Sequence, residues 1–121
     1  MTLNRRKLLL MCAATDITWR WTNDRWQGKC IHCRRKITLD KSGATEGSAT
    51  LEHIVPRNHG GTDELSNLSI ACSRCNHQKG RKLDVLHASD SRLQDVIARL
   101  HQRKEDRYRP PIQPLAYLFG P

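Results

Sequence analysis

Long apolar stretches are missing from this chain, and aromatic residues are scarce. Only 37% of its 121 residues are hydrophobic, and there is a single Phe. No segment approaches the roughly 18 consecutive apolar residues of a membrane span, and no internal repeat is visible. Acidic residues are the minority sign. Asp and Glu number 12 against 21 Lys and Arg, a formal charge of +9. That balance excludes an acidic disordered tail and predicts attraction to polyanions. The length excludes a large enzyme and allows one domain with short extensions. A domain this small and this lean buries too little apolar surface to rest on packing alone. Five Cys and six His suggest that a metal ion supplies the rest.

The charge is uneven. Residues 1–36 carry nine basic and two acidic side chains, residues 37–72 two and five, and residues 73–121 ten and five. An acid-leaning middle between basic flanks suits a cation-dependent site set in a phosphate-binding surface. Ordinary solvated surface is the plainer reading of the same pattern.

Arg5-Arg6-Lys7 followed by an apolar run over 8–14 imitates a secretory signal, but seven residues is short for one. Residues 3–14 read instead as a helix with an apolar face, and the chain as cytoplasmic. Trp19, Trp21 and Trp26 form an irregular strand or a wrapped loop. They could stack on nucleotide bases, although capping a thin core is the commoner use of such residues. Residues 40–49 read as a flexible loop, Thr50–Val55 and Leu68–Ala71 as strands, and Asn76–Lys82 as the start of a helix. Leu93, Val96, Ile97 and Leu100 mark one face of a further helix, opened by a capping box at Ser91 and Gln94 and ended before Pro110-Pro111. The tail 110–121 is extended, with apolar anchors that pack back or meet a protein partner.

Cys30-Ile31-His32-Cys33 and Cys72-Ser73-Arg74-Cys75 are two Cys-x-x-Cys pairs, 38 residues apart. This spacing lets four thiolates, Cys30, Cys33, Cys72 and Cys75, enclose one tetrahedral zinc with no open position, a structural ion. A redox dithiol and two disulfides are the competing readings. Cys12 reads as a buried small apolar residue, and His32 is not needed as a ligand. Between the pairs lie Leu51-Glu52-His53-Ile54-Val55-Pro56, His59-Gly60-Gly61 and Asn67-Leu68, and after the second pair Asn76-His77-Gln78-Lys79-Gly80. Neighbours on a regular strand face opposite ways, so Glu52 and His53 would then serve different partners; an irregular hairpin would bring Asn76 beside Glu52.

In these residues the segment 30–80 resembles the HNH endonucleases of the ββα-metal (His-Me finger) fold, and among them the small zinc-containing proteins of bacteria and phages. The resemblance implies an α+β fold: a hairpin–helix core with a four-Cys zinc knuckle pair over 30–82, an N-terminal helix and Trp-containing lead-in over 1–29, and a C-terminal helix and Pro-rich tail over 83–121. It implies hydrolysis of DNA, most readily double-stranded, by a monomer or weak dimer. His53 would be the general base, Glu52 and Asn76 would bind one Mg2+ or Mn2+, and Asn67 would tie the loop to the hairpin and orient His53. Lys79, Arg81 and Lys82 would grip flanking phosphates. Glu52 stands where many relatives carry Asp, and Asn76 where many carry His. A zinc-stabilised nucleic-acid-binding module without chemistry explains the charge and the cysteines equally well, but not the joint presence of His53, Glu52 and Asn76.

Overall fold

A computed structural model describes residues 3–120. The elements run α1 (Leu3–Ala14), β1 (Arg20–Thr22), β2 (Arg25–Lys29), β3 (Lys36–Leu39), β4 (Ala49–His53), β5 (Leu68–Cys72), α2 (Ser73–Lys79) and α3 (Ser91–Asp106). Two antiparallel sheets result, β1-β2-β3 and β4-β5. The mixed α+β architecture is the one expected, with the β4-β5 hairpin feeding α2 and helices on both flanks.

The Trp segment, for which the sequence allows a strand or a loop, is a hairpin. Asn23 and Asp24 hold φ of 52° and 61° between the paired residues Thr22 and Arg25. These are residue types that tolerate left-handed backbone, and a two-residue turn with both φ positive matches the natural twist of a hairpin. Trp19 and Trp26 are buried, at 0% and 2% exposure, so the core-capping use holds for two of the three; Trp21 is 46% exposed. Gly28 lies flat against the Trp19 indole, where an added methyl would overlap the ring carbons. Gly28→Ala is therefore expected to lower stability by about 1–3 kcal/mol or more through overpacking, measured as a fall in the urea midpoint at unchanged m.

One core spans the whole chain. Leu9, Trp19, Ile31, Leu39, Leu68, Leu93 and Leu100, drawn from the N-terminal, central and C-terminal segments, share a single buried cluster. Helix α3 joins it through Leu93, Val96 and Leu100, as the spacing requires. Its N-cap is Asp90 rather than Ser91, because the Asp90 carboxylate accepts from the Arg92 N–H at 2.9 Å; Gln94 turns back to the Ala88 carbonyl. The Arg92 side chain adds its charge and holds the Asp90 carboxyl down at about 2. Helix α2 starts three residues earlier than expected. Cys72 caps it, its sulfur accepting from the Cys75 N–H, and Gly80–Asp84 continue as a wider π-type turn. The tail packs back on α1, with Leu115 buried and a short 3-10 turn over Leu115–Phe119. Pro121 lies outside the described residues. No described helix is long and apolar enough to cross a membrane.

Three arginines knit the C-terminal segment to the rest. Arg103 donates to the carbonyls of Ile31 and His32, both at 3.2 Å. Arg107 donates to those of Lys29 at 3.0 Å and Cys30 at 3.3 Å. Arg109 caps the end of α1 through the carbonyls of Ala13 and Ala14. These guanidinium groups add to the bonds that the Cys30 carbonyl takes from the Arg34 N–H at 3.1 Å and the Ala13 carbonyl from the Asp16 N–H at 3.4 Å.

Candidate active site and metal centre

The four cysteine sulfurs converge. Those of Cys30, Cys33, Cys72 and Cys75 all lie within 4.8 Å of one another, and Cys33 and Cys72 are 3.9 Å apart. Four sulfurs about 2.3 Å from a tetrahedral ion stand about 3.8 Å from each other, whereas a disulfide bond is about 2.05 Å. The spacing fits a shared ion and not a bond, and all five cysteines are free thiols. Backbone N–H groups point at the sulfurs: Cys72 N to Cys30 Sγ at 3.2 Å, His32 N to Cys30 Sγ at 3.4 Å, and Cys75 N to Cys72 Sγ at 3.4 Å. Such donors favour thiolate, the ligating form, against the burial that raises the Cys30 and Cys75 thiols. The Cys33 thiol is brought down to about 7, chiefly by the Arg35 backbone N–H. Arg34 takes a left-handed φ of 65° to close this turn. Cys12 is buried elsewhere, and desolvation pushes its thiol up to about 11, an inert core residue. The donor set is that of a closed, structural zinc site.

A second site opens beside the β4-β5 hairpin. The register runs unbroken from Ala49↔Cys72 to His53↔Leu68, so side chains alternate strictly between faces. Leu51 and His53 reach a pocket of about 450 Å³ whose wall also includes Asn76, Asp84, Arg5 and Arg57. Asn76 comes from α2, whose first turn is fixed by the Cys72 cap. Its amide nitrogen donates to Thr50 Oγ1 and to the Leu51 carbonyl, both at 3.1 Å, leaving the amide oxygen as the acceptor available to a ligand.

His53 Nε2 lies 2.7 Å from Asp63 Oδ1. The Arg57 Nε–H also approaches Nε2, at 3.3 Å, but that contact needs a lone pair where the shorter one needs a proton. With the proton on Nε2, the shorter contact is a hydrogen bond donated to Asp63 and Nδ1 keeps its lone pair. Asp63, bonded in turn to Arg57 at 3.2 Å, is held below the usual carboxylate range, first by the His53 hydrogen bond. The arrangement is that of a base oriented by a carboxylate. Asn67 sits behind it. Its side chain accepts from the Val55 N–H at 2.8 Å and donates to the carbonyls of Val55 at 3.0 Å and Thr62 at 2.9 Å, tying the loop that carries Asp63 to the end of β4. Gly61 lets that loop close, since a side chain there would run into the Val55 carbonyl.

Glu52 does not line this pocket with His53. Because β4 is regular, it faces the opposite side and is fully buried, with Oε2 3.3 Å from His32 Nε2 and Oε1 3.1 Å from Lys79 Nζ. The Lys79 contact is an ion pair without hydrogen-bond alignment, so Oε1 has no hydrogen-bond partner. Lys79, expected on phosphate, is 3% exposed; its ammonium bonds Asp84 Oδ1 at 2.8 Å and the His53 carbonyl at 3.1 Å. A buried ammonium needs such partners, and two carboxylates and a carbonyl provide them. Arg81 and Lys82 remain exposed, as a phosphate contact requires. His59 makes a loop contact, Nε2 to the Asp84 carbonyl at 2.9 Å, and His77 is exposed.

The sequence reading missed Asp63 and Asp84. Asp63 lies ten residues from the histidine it serves, in a Gly-rich loop where an acidic residue looks like solvated surface. Asp84 follows a basic run and is brought to the pocket only because the helix widens after Lys79. The same wall offers two oxygen donors to a divalent ion, one of which, Asp84 Oδ1, is paired with Lys79 Nζ at 2.8 Å. The Asn76 amide oxygen and the Asp84 carboxylate are hard oxygen donors beside an imidazole, and Mg2+ typically takes one or two protein carboxylates and completes its shell with water and phosphate.

Residues 30–82 match the family model of the HNH endonucleases. Over 80 residues, 64% of the chain, the sequence is 31% identical to the CRISPR-associated endonuclease Cas9 of Corynebacterium diphtheriae, and it spans 7% of that protein's length. No solved structure matches.

Proposed function

We propose, on the premise that residues 30–82 belong to the HNH endonuclease family, that this protein cuts DNA phosphodiester bonds, leaving 5′-phosphate and 3′-hydroxyl ends. The observation that carries this reading is His53, oriented by Asp63 at 2.7 Å, in one pocket with the pinned amide of Asn76. His53 Nδ1 takes a proton from the attacking water while Nε2–H stays on the Asp63 carboxylate. Arg5 and Arg57 place positive charge at the pocket wall, where a phosphate would lie. Arg81 and Lys82 hold the phosphates to one side. The Asn76 amide oxygen and the Asp84 carboxylate would hold one Mg2+ or Mn2+, which would supply positive charge to the scissile phosphate and the leaving oxygen. Glu52 takes a different part from the one its place beside His53 suggests. Through Lys79 it fixes the His53 carbonyl and Asp84 from behind. One pocket per chain nicks one strand of duplex DNA per encounter.

Two measurements test this. Zinc-loaded protein is expected to nick supercoiled plasmid with Mg2+ or Mn2+. Protein that binds DNA but cuts nothing across Mg2+, Mn2+, Co2+ and Ni2+ would be a binding module instead. In Mn2+ titrations followed by electron paramagnetic resonance, Asp84→Asn is expected to weaken binding at least tenfold, and Glu52→Gln to leave it intact in the folded fraction. The reverse pattern would return the ligand role to Glu52.

A further inference from the structure

A groove away from the cutting pocket combines aromatic rings and cations with aliphatic side chains such as Ile112 and Leu118, with no acidic residue in its walls. One part, of about 480 Å³, lies between Arg20, Trp21 and Tyr117; the next, of about 800 Å³, between Arg6, Lys7 and Tyr117; Lys41 lines both. No Asp or Glu is among the residues lining either part. Trp21 is 46% and Tyr117 70% exposed, in a chain that has few aromatic side chains and uses its other two Trp as core. Trp21 meets the buried Trp26 edge to face at 5.2 Å and 70°, a contact that fixes the orientation of the outer ring. A rigid exposed ring beside cations is a stacking platform rather than a packing residue.

We propose that this groove binds an unpaired nucleic-acid strand, its bases stacked on Trp21 and Tyr117 and its phosphates on Arg20, Lys41 and Lys7. Charge complementarity selects a polyanion, and the rings select one whose base faces are free. In a duplex those faces are covered by the neighbouring pairs, and only edges and phosphates meet a protein. The groove also has a route to the cutting pocket. Arg5 lines that pocket, and Arg6 and Lys7, the next residues of α1, line the groove. A strand lying in the groove would thus pass across the first turns of α1 to the pocket. Binding here does not require that the protein cut anything, so the two readings fail separately.

The test uses zinc-loaded full-length protein in buffer free of Mg2+ and Mn2+, with a fluorescein-labelled twelve-nucleotide oligo(dT) and a blunt twelve-base-pair duplex as probes, read by anisotropy. Tyr117→Ala and Trp21→Ala are each expected to weaken oligo(dT) binding about tenfold, within the range found for one base–aromatic stack, and to change duplex binding by less than twofold. Lys41→Ala is expected to flatten the salt dependence of oligo(dT) binding by about 0.7 in log–log slope. Tyr117→Phe should keep wild-type affinity. Because Tyr117 is mostly outside the core, its variant decides the matter even if Trp21→Ala loses the hairpin. Unchanged oligo(dT) affinity in folded Tyr117→Ala, or equal losses for duplex and single strand, would overturn the proposal.

Discussion

Replacing His53 with alanine is expected to slow plasmid nicking by about 10²–10⁴-fold, the usual worth of a positioned general base, while zinc content and DNA affinity stay at wild-type values. The expectation rests on how little else His53 does. Its ring is bonded to Asp63 and approached by Arg57, both in the surface loop, and it belongs to no part of the buried cluster. Its main-chain carbonyl, which does support the structure by accepting from Lys79, survives substitution. Asp63→Asn separates orientation from base strength. An amide can still accept from Nε2–H but has no charge to stabilise the imidazolium, so a smaller loss is expected than for His53→Ala. The Asp63 carboxyl is held low, first by the imidazole, so it stays ionised through the ordinary carboxylate range and is protonated only as pH falls below that range. Undiminished nicking by His53→Ala would remove the proposed base.

Stripping the cysteine-held ion should do more than reduce activity. Chelation, or Cys72→Ser, is expected to abolish cooperative folding, seen as loss of the thermal transition and of helical circular dichroism. A structural zinc contributes about 10–16 kcal/mol apparent in small zinc-folded peptides, as much as or more than the 5–15 kcal/mol by which a domain is stable at all. The effect concentrates at Cys72. It closes β5, caps α2 and sits in the buried cluster. Its loss would free the helix that carries Asn76 from the strand that carries His53. Chelated protein that keeps a sharp transition would show that packing alone suffices. Acidification should mimic chelation, since ligating thiolates must stay deprotonated.

Much of this was readable before the fold. The Cys-x-x-Cys pairs, the β4-β5 hairpin, the apolar stripe of α3 and the grouping of His53 with Asn76 rest on local signals: fixed ligand spacing, β-favouring composition and a 3.6-residue period. The differences in placement share one cause, which is that exposure and facing are tertiary properties. Lys79 resembled a phosphate contact because it stands among basic residues, and only the turn of α2 against β4 shows it buried between Glu52 and Asp84. Glu52 adjoins His53 in sequence, and a regular strand turns the two side chains apart. Trp21 and Trp26 look alike in sequence, yet one is core and the other is surface. Asp63 and Asp84 carried no sequence signal that separates them from solvated charge.

The three arginines that clasp main-chain carbonyls have a consequence for how ions govern binding. Arg103, Arg107 and Arg109 add to the formal +9, yet their guanidinium groups are turned inward and engaged. Only cations that touch a phosphate displace the counterions condensed around it. The affinity of this protein for a polyanion should therefore fall less steeply with added salt than its tally of basic residues implies, because part of that tally is mortar.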